Sequence, residues 1–285
     1  MSELRRLAFA IAYRMLGSVA EAEDVAQEAL LRLHDAEGVR NEEAFVTTAT
    51  THLALDVLRS ARVRREAYVG SWLPEPLVDA EAPARVEDEE TVSLAFLVLL
   101  ERLSPEERAV LVLREAFDLG FGEIAEILGK SEAACRQLLS RARRRIADGR
   151  PRFEPDPAER DALAAQFLAA ARDGDMQGLV ALLAPDVVLT GDGGGKARAI
   201  LKPMTGAAKV ARALFAFYGQ SRDMGVALLP ARINGQPGIR VLDPGGGLVN
   251  VVGIDVVDGR VARVHSILNP DKLGHLGPLS DLALR

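Results

Sequence analysis

A dense cluster of arginines occupies the stretch from residue 136 to residue 152. It holds seven arginines and a single acidic residue, Asp148. The seven are Arg136, Arg141, Arg143, Arg144, Arg145, Arg150 and Arg152. Guanidinium groups at this density are typical of a surface that neutralises nucleic-acid phosphates. The alternative is a solvated helix end that carries arginine for solubility, and the residues before the cluster help to decide between the two.

Those preceding residues have the pattern of a helix-turn-helix, in the sequence GFGEIAEILGKSEAACRQLLSRARRR from 120 to 145. The two helices of this motif cross closely, so it needs a small residue at the crossing, a permissive residue at the turn and an apolar residue early in the second helix. Ala125, Gly129 and Cys135 have these properties in that order. Ser131 can cap the second helix. The combination predicts a DNA-reading helix that runs into the arginine cluster.

Helices are predicted on both sides of one irregular segment. Residues 1–66 have helical periodicity, with Ser18-Val19-Ala20-Glu21 as a capping box. Residues 93–152 form a second all-α domain, in which Ser104-Pro105-Glu106-Glu107 opens the helix before the helix-turn-helix. Between them, residues 67–92 contain three prolines, the only tryptophan and a run of acids, which predicts a linker.

The remaining residues, 153–285, change from helical to strand patterns. Residues 158–184 are predicted to be helical, VVLTGDGGGKARAILKP to form a strand, a glycine turn and a second strand, and TGAAKVARALFAFYG to be a helix. From Val226 onward, strands alternate with turns. The turns are Asn234-Gly235, Gly245-Gly246-Gly247 and Asp258-Gly259. This order predicts an α+β domain whose curved sheet wraps a helix, a shape that often encloses a pocket.

Composition limits the classes of protein that the chain can be. At 285 residues it is long enough for two or three domains, and its single cysteine, Cys135, excludes an intramolecular disulfide and a multi-cysteine metal site. The four histidines show no metal-ligand spacing, so neither a metal nor a cofactor is expected. No apolar run is long enough to span a membrane, and the N-terminus lacks a signal cleavage site. We therefore expect a cytoplasmic protein without a membrane partner.

The net charge of −6 would repel a phosphate backbone if it were spread evenly. Residues 1–150 carry 20 basic and 27 acidic residues, and the acids concentrate at 21–43 and 75–90. A second basic run, Arg59 to Arg65, lies apart from these acids. Because the local field follows the local pattern of charge, basic DNA-binding faces can coexist with acidic faces for another partner.

Over nearly its whole length the chain resembles the extracytoplasmic-function sigma factors that carry a C-terminal SnoaL-like extension. Residues 7–66 are similar to sigma region 2, and residues 93–146 are similar to sigma region 4. Three motifs resemble those of this group: Trp72-Leu73-Pro74-Glu75-Pro76, Asp192-Gly193-Gly194-Gly195-Lys196 and Asn269-Pro270-Asp271-Lys272-Leu273. The resemblance implies a multidomain fold with two all-α domains, a region 2 helical bundle and a region 4 helix-turn-helix, followed by a cone-shaped α+β SnoaL-like domain.

The resemblance also implies that the chain binds core RNA polymerase, at the β′ clamp helices and the β flap, and recognises a bipartite promoter. The candidates for polymerase binding share the polar face of one helix and are Glu21, Asp24, Gln27, Glu28 and Arg32. An acidic helix face suits a basic partner groove. Without the resemblance, a solvated helix face would be the ordinary explanation.

Two sets of residues are implied to contact promoter DNA. In region 2 the candidates for the minus-ten element are Thr48, Thr51, His52, Arg59 and Arg62. In region 4 the candidates for the minus-thirty-five element are Lys130, Glu132, Arg136, Gln137, Arg141, Arg144 and Arg145. Glu132, Arg136 and Gln137 lie in the half of the helix that normally reaches base edges, whereas the other four are expected on phosphates. For each single residue of the region 2 set, a threonine-bearing amphipathic helix that faces solvent is an about equally good explanation.

The three motifs are expected to regulate the DNA-reading domains in cis, by docking the linker onto the C-terminal domain. The residues concerned are Trp72, Leu73, Pro74, Asp192, Gly193, Gly194, Gly195, Lys196, Asn269, Pro270, Asp271, Lys272 and Leu273. Prolines beside Trp72 would present it with little loss of ordering entropy. The alternative is that Trp72 packs on its own helical domain and that the glycines form only a hairpin turn.

An enzyme is not expected. SnoaL-like domains include cyclases and isomerases, whose chemistry needs a pocket carboxylate as the base and a donor that stabilises an enolate. Asp192 and His265 are candidates, but no paired acid and tyrosine donor is placed to support them. GDGGGK is not a phosphate loop either, because Ala197 follows the lysine. A DNA-binding regulator whose C-terminal pocket senses a small molecule is the alternative that stays open.

Overall fold

The computed structural model describes residues 2–78, 92–147 and 156–284. The acidic part of the predicted linker from residue 79 onward and the basic residues Arg150 and Arg152 lie outside these ranges, as does the side chain of Arg62. The described residues form two compact units, one of 2–67 with 92–147 and the other of 68–78 with 156–284. No helix in these described ranges is both long and apolar enough to cross a membrane.

Three helices from the N-terminal part of the chain pack on one another in the first unit. They are α1 (Ser2–Leu16), α2 (Val19–Asp35) and α3 (Glu42–Glu66). Every residue from Ala8 to Leu16 is buried, as expected of a helix that is apolar on most of its faces. The Ser18 side chain accepts a hydrogen bond from Glu21 N at 3.2 Å and so caps α2. Helix α1 is therefore the centre of this part of the core.

Four further helices belong to the described part of the first unit. They are α4 (Leu94–Leu100), α5 (Pro105–Glu115), α6 (Phe121–Leu128) and α7 (Glu132–Ala147). The predicted capping box begins α5, because the Ser104 side chain accepts from Glu107 N and the Glu107 side chain accepts from Ser104 N. Helices α5, α6 and α7 all contact one another. Their shared core contains fully buried Leu111 and Ile124.

A buried arginine joins the two groups of helices. Arg108 on α5 is 3% exposed, and its guanidinium donates to Met15 O and to Leu100 O, each at 2.7 Å. The same group lies 2.8 Å from the carboxylate of Glu101. A buried guanidinium needs all of these acceptors, so it fixes α5 against the end of α1.

The described residues of the second unit form three longer helices and a six-stranded sheet. The helices are α8 (Pro157–Asp173), α9 (Met176–Leu182) and α10 (Ala207–Asp223), and a short α11 (Pro270–Leu273) follows the sheet. The strands are β1 (Leu183–Asp192), β2 (Met204–Thr205), β3 (Ala227–Ile233), β4 (Gln236–Leu242), β5 (Leu248–Val257) and β6 (Arg260–Ile267). Their order is β2-β1-β6-β5-β4-β3, with β1 and β6 parallel and the other described neighbours antiparallel.

Turn residues and apolar residues act as the sequence predicts in this unit. Asn234 and Gly235 have φ of 53° and 68°, and Asp258 and Gly259 have φ of 49° and 67°. These left-handed values are those that two-residue hairpin turns require. Helices α8 and α10 contact the sheet, and the buried residues of all three form one hydrophobic core. The predicted α+β domain is confirmed.

Two secondary-structure predictions are wrong in detail. The helix predicted over 158–184 is interrupted, because α8 ends before Gly174 and strand β1 already begins at Leu183. The second strand, predicted directly after the glycine turn, is limited to Met204–Thr205. Lys196 N and Ala197 N both donate to Gly193 O, which closes the predicted glycine turn.

Candidate functional site

Helices α6 and α7 have the geometry of a helix-turn-helix. Gly129 ends α6 with φ 61°, and the space around it is open, so the backbone conformation is what requires glycine there. Cys135 is fully buried and Ala125 is 9% exposed, as a close crossing of two helices requires. Ser131 Oγ accepts from Ala134 N at 3.2 Å and caps α7.

Arg136 is held in a definite position on the exposed face of α7. Its guanidinium lies 4.8 Å from the centroid of the Phe121 ring and donates to Glu132 at 2.7 Å. Arg114 lies 5.7 Å from the centroid of the same ring. The cation–π contact with Phe121 restricts the Arg136 rotamer, and so does the ion pair with Glu132, which lies one turn earlier on α7. Gln137 beside it is exposed. Sequence reasoning missed Phe121, because its partners are not its neighbours in the chain.

Acidic residues of α5 accompany the basic residues of the helix-turn-helix. The shortest nitrogen–oxygen distances are Lys130–Glu106 at 3.2 Å, Arg141–Glu107 at 3.6 Å, Arg145–Glu107 at 2.7 Å and Arg143–Glu115 at 2.8 Å. Arg144 donates to a backbone carbonyl, that of Ser140, at 3.4 Å. The Glu107 side chain is 4% exposed, and those of both its arginine partners are 53% exposed. The acids thus orient arginines that still present N–H groups to solvent.

The α3 candidates are presented to solvent unequally. Thr51 is fully buried, and its hydroxyl donates to Thr47 O at 2.7 Å, so in this arrangement it is not accessible to DNA. Thr48 is partly exposed, with its hydroxyl bonded to a backbone carbonyl one turn earlier. Arg59 is exposed and pairs with Asp56 at 3.0 Å. The accessible candidates of this set are therefore fewer than the sequence predicts.

His52 contacts the helix-turn-helix within the first unit. Its Nε2 lies 2.5 Å from the backbone carbonyl oxygen of Ile127, and since a carbonyl only accepts, the ring nitrogen donates. Helices α3 and α6 also contact each other. A contact between the His52 ring nitrogen and a DNA base would therefore require this hydrogen bond to break.

The polymerase candidates share the solvent-facing side of α2. Asp24, Gln27 and Glu28 are exposed, Glu21 is partly exposed, and Arg32 donates to Glu28 at 2.9 Å. Leu31, one turn after Gln27, is 51% exposed. An exposed leucine among polar side chains is the pattern of a contact surface with an apolar centre. Leu31 is not among the sequence-predicted residues, because the residues around it are polar and the assignment followed them.

Residues Tyr68–Val78 lie on the C-terminal domain and form, together with Asp192, Asn269 and Lys272, what we call the linker clamp. Asp192 ends β1 and is completely buried. Its carboxylate accepts from the Tyr68 hydroxyl at 2.5 Å, from Leu73 N at 2.7 Å and from the Lys272 ammonium at 2.6 Å. One buried carboxylate thus binds a side chain and the backbone of the linker at once.

Lys272 completes the linker clamp from α11. It is 5% exposed, and its ammonium donates to Leu73 O as well as to Asp192. The same ammonium lies 4.1 Å from the Trp72 ring centroid and 5.0 Å from that of Tyr68. Two aromatic faces and two acceptors compensate the loss of water around this cation. The structure therefore brings together Trp72, Leu73, Asp192 and Lys272 from all three motifs.

Tyr68 belongs to the linker clamp although sequence reasoning did not single it out. Burial, and next the hydrogen bond to Asp192, raises the pKa of the Tyr68 phenol. The phenol therefore stays protonated and donates to the carboxylate. Asn269 Nδ2 in turn donates to the Tyr68 oxygen at 2.8 Å. The Tyr68 hydroxyl thus both donates and accepts a hydrogen bond, as a buried polar network requires.

The second half of the docked linker pairs with the sheet and with the chain end. Leu77 N donates to Asn234 Oδ1 at 3.0 Å, and Asn234 N donates to Leu77 O at 2.8 Å. Val78 forms a bridge with Ile233 on β3, and His275 bonds to Pro76 O at 2.9 Å. Every residue from Leu73 to Val78, including Pro74, is buried. This segment is thus part of the second unit.

The glycine motif forms a tight loop beside Asn269. A Cβ on Gly194, which has φ 59°, would lie 2.3 Å from Asn269 Nδ2, so a side chain there would displace a linker-clamp residue. Lys196 at the end of the loop lies 2.6 Å from Asp271 on the surface. The loop therefore links the Asp192 end of β1 to the start of α11.

The two residues considered for enzyme chemistry are engaged elsewhere. Asp192 is neutralised by Lys272 within the linker clamp. His265 is 2% exposed, and its Nε2 lies 2.9 Å from the carboxylate of Asp255. Neither residue lines the cavity that the C-terminal domain contains. A base and an enolate donor are thus not assembled there from these residues.

Comparisons with known proteins agree with this architecture. Residues 1–64 match the family model described as sigma-70 region 2, and residues 93–146 match the one described as sigma-70, region 4. The chain is 40% identical to the ECF RNA polymerase sigma factor SigJ of Mycobacterium tuberculosis, over 94% of this chain and 90% of that protein. It is 31% identical to the probable ECF RNA polymerase sigma factor SigI of the same organism, over 93% and 91%.

The same relative has a solved structure. The crystal structure of Mycobacterium tuberculosis SigJ matches this chain with a TM-score of 0.80 at 37% identity, covering 98% of both chains. The multidomain fold predicted from the sequence, two helical sigma regions followed by an α+β SnoaL-like domain, is confirmed.

Proposed function

Because the chain belongs to the extracytoplasmic-function (ECF) RNA polymerase sigma factors, we propose that it binds core RNA polymerase, recognises a bipartite promoter and initiates transcription without catalysing a reaction. The observation that carries this proposal is the helix-turn-helix of α6 and α7, with its exposed Arg136 and Gln137. A second DNA-reading module in α3 fits a promoter with two elements. A repressor of a single operator would not need it.

We assign readout of the minus-thirty-five element to the first half of α7. Arg136 and Gln137 are exposed there, in the part of a recognition helix that normally reaches base edges. Glu132 and Phe121 hold the Arg136 guanidinium, so less rotamer entropy is lost when it binds a base. The later arginines, with Lys130, hold phosphates, and Glu107 orients two of them.

Contacts to the minus-ten element are assigned to the exposed part of α3. Thr48 and Arg59 are accessible without rearrangement, and Arg62 is kept as a candidate because of its place in the basic run. His52 joins them only after its bond to Ile127 O breaks. The first unit must therefore loosen its α3–α6 contact before all candidates of this set reach DNA.

Polymerase binding is assigned to the exposed face of α2 for the β′ clamp helices, and to region 4 for the β flap. Asp24, Gln27 and Glu28 would form the polar part of the α2 surface. Leu31 would form its apolar centre, since protein interfaces combine a desolvated apolar core with a polar rim. Charge complementarity with a basic groove would favour fast association.

We further propose that the linker clamp regulates transcription in cis. While Tyr68–Val78 is docked, this segment is part of the C-terminal domain and cannot act as a free spacer between regions 2 and 4. Docking also supplies hydrogen-bond partners to the buried Asp192 and Lys272, so undocking would leave two buried charges with fewer partners. Polymerase or another ligand that binds only the undocked state would shift the population toward it.

In vitro transcription with purified core polymerase and a library of promoters tests the sigma assignment. We expect enrichment of promoters that share two separated elements, and loss of upstream selectivity when Arg136 and Gln137 are changed to Ala. Arg212→Ala, an exposed arginine of α10 in the other unit, is the matched control. A chain that directs no promoter-dependent transcription with its own organism's core polymerase would contradict the proposal.

A further inference from the structure

A cavity of about 370 Å³ lies in the C-terminal domain, between α10 and the sheet. Its volume falls within the range of about 300–1,000 Å³ that is usual for small-molecule sites. Most of its wall is apolar, from strands β1, β5 and β6, from α10 and from the chain after Ile267. The largest apolar lining residues are Leu189, Ile200, Leu214, Phe217 and Leu268. Size and lining both suit the apolar body of a small organic molecule.

Four uncharged polar side chains interrupt this apolar wall, those of Tyr218, Gln220, Asn250 and Ser266. Asn250 Nδ2 donates to Ser266 Oγ at 2.9 Å, so these two residues satisfy each other. Tyr218 is 4% exposed, and its hydroxyl has no hydrogen-bond partner among the residues that the structure describes. A buried hydroxyl without a partner is unfavourable. A bound molecule with an acceptor would supply a partner.

The charge at the cavity is positive. Arg198, which is exposed, lines the cavity from the loop after the glycine motif, and it forms no ion pair with a described residue. None of the described lining residues is acidic, and none is a histidine. A guanidinium that forms no ion pair with a described residue, beside an apolar cavity, favours a ligand with a carboxylate at one end. The described lining residues can therefore bind such a ligand, and they include neither the carboxylate nor the imidazole that usually acts as a general base.

We propose that this cavity binds an organic acid with a mainly apolar body, whose carboxylate pairs with Arg198, and that this binding is coupled to the linker clamp. The site itself stands on the cavity and its lining, whereas the coupling rests on the proposed regulation in cis.

The coupling follows from shared backbone. Gly191 and Leu268 line the cavity, and the residues that follow them, Asp192 and Asn269, belong to the linker clamp. Leu268 N and Asn269 N both donate to the backbone oxygen of Asp192, at 2.8 and 2.9 Å. A ligand that shifts the cavity wall must therefore shift residues that hold the linker. By linkage, release of the linker must change the affinity for the ligand by the same factor.

Decanoate is a suitable probe, because it joins a carboxylate to an apolar chain, and decanol is its uncharged counterpart. Binding to the full chain is measured by calorimetry below the concentration at which the probes aggregate. Three variants accompany the natural chain. Arg198→Gln removes the charge at the cavity, and Ala213→Phe fills the cavity. Arg212→Gln is the control, because it removes the charge of an exposed arginine of α10 that does not line the cavity. Circular dichroism and thermal unfolding verify that each variant is folded.

We expect saturable binding of one decanoate per chain, and weaker binding of decanol. Arg198→Gln should weaken decanoate binding about two- to fivefold, as for an exposed ion pair, and should leave decanol binding unchanged. Arg212→Gln should change neither, and Ala213→Phe should weaken both at least about tenfold. No saturable binding to the natural chain would overturn the site. Equal binding of both probes, unaffected by Arg198→Gln, would overturn the assignment of an organic acid.

The coupling has a separate readout in Trp72, the only tryptophan of the chain, which lies in the linker clamp and outside the cavity lining. Decanoate should change Trp72 emission in the natural chain with the same midpoint as calorimetric binding, and not in Ala213→Phe. Binding without any change in emission would overturn the coupling. Neither measurement uses transcription, so failure of the ligand site and failure of the sigma assignment are distinguishable.

Discussion

The Lys272 ammonium lies 2.6 Å from the Asp192 carboxylate, and both residues are buried. Each also binds the backbone of Leu73. The Asp192 carboxylate accepts from the Leu73 N–H, and the Lys272 ammonium donates to the Leu73 carbonyl. The pair is therefore complete only when the linker is docked. Because desolvation offsets much of the attraction in a buried ion pair, we expect this pair to select the docked arrangement more than to add net stability.

Removing one member of this pair should destabilise the C-terminal domain. Lys272→Met leaves a buried carboxylate without its cation, and we expect it to lower the free energy of unfolding by about 3–5 kcal/mol. Urea denaturation followed by Trp72 fluorescence measures this. Lys196→Met breaks an exposed pair with Asp271 of the same 2.6 Å length and should cost less than about 1 kcal/mol.

The double variant decides whether the two charges act as a pair. Asp192→Asn combined with Lys272→Met removes both charges, so its cost should be clearly smaller than the sum of the two single costs. Equal values for the double variant and that sum would mean that the pair is not coupled.

Tyr218→Phe should stabilise the protein by about 1 kcal/mol, because it removes a buried hydroxyl that has no partner among the described residues. Tyr68→Phe is the matched control, since that hydroxyl bonds to Asp192 and Asn269. It should lower the free energy of unfolding by about 1–3 kcal/mol. Thermal and urea unfolding measure both. A loss of stability in Tyr218→Phe would show that its hydroxyl is satisfied in solution.

Local signals in the sequence predict local structure well in this chain. The capping box at Ser104 and the turn at Asn234-Gly235 depend on residues within three positions of each other, and both form as predicted. The helix-turn-helix follows for the same reason, since crossing, turn and cap lie within ten residues. Such features need no knowledge of the rest of the fold.

Long-range contacts explain what the sequence could not predict. Arg145 pairs with Glu107, 38 residues away, and Tyr68 bonds to Asp192, 124 residues away. In the sequence, Glu107 resembles an ordinary surface acid, and Tyr68 resembles an ordinary aromatic residue of a linker. The second strand after the glycine motif was misplaced for a related reason. The β1 edge pairs with Met204–Thr205, so residues 198–200 are left to line the cavity.

Base-reading and phosphate-binding residues of α7 should differ in their effect on promoter selectivity. Arg136→Ala or Gln137→Ala should reduce discrimination at one upstream base by about 1–3 kcal/mol. Arg144→Ala with Arg145→Ala should weaken all sequences alike and reduce the salt dependence of binding. Affinities of the holoenzyme for matched and mutated promoters, at several salt concentrations, test this. An equal loss of affinity across all promoter sequences for all four changes would contradict the division into base-reading and phosphate-binding residues.

Asp24→Arg should weaken binding to core polymerase, because it reverses the charge in the middle of the exposed α2 face. Asp173→Arg changes another exposed acid, in the other unit, and is the matched control. Leu31→Ala should also weaken binding, by about 1 kcal/mol or more if it lies at the interface centre. Unchanged affinity for the β′ clamp helices in both α2 variants, with unchanged circular dichroism, would remove this surface from the assignment.

Opening of the linker clamp should change promoter-dependent transcription in one direction, whichever of its residues is altered. Trp72→Ala removes an aromatic face from Lys272, and the Asp192→Asn, Lys272→Met pair removes both buried charges, so each favours the undocked linker. Allosteric couplings of 1–3 kcal/mol correspond to changes of about 5- to 150-fold, and we expect values in that range. Because both changes act on one equilibrium, the triple variant should differ little from the stronger of the two.

Lys196→Met should leave transcription unchanged. Fully additive effects, or opposite directions, would show that the C-terminal domain and the DNA-reading helices work independently.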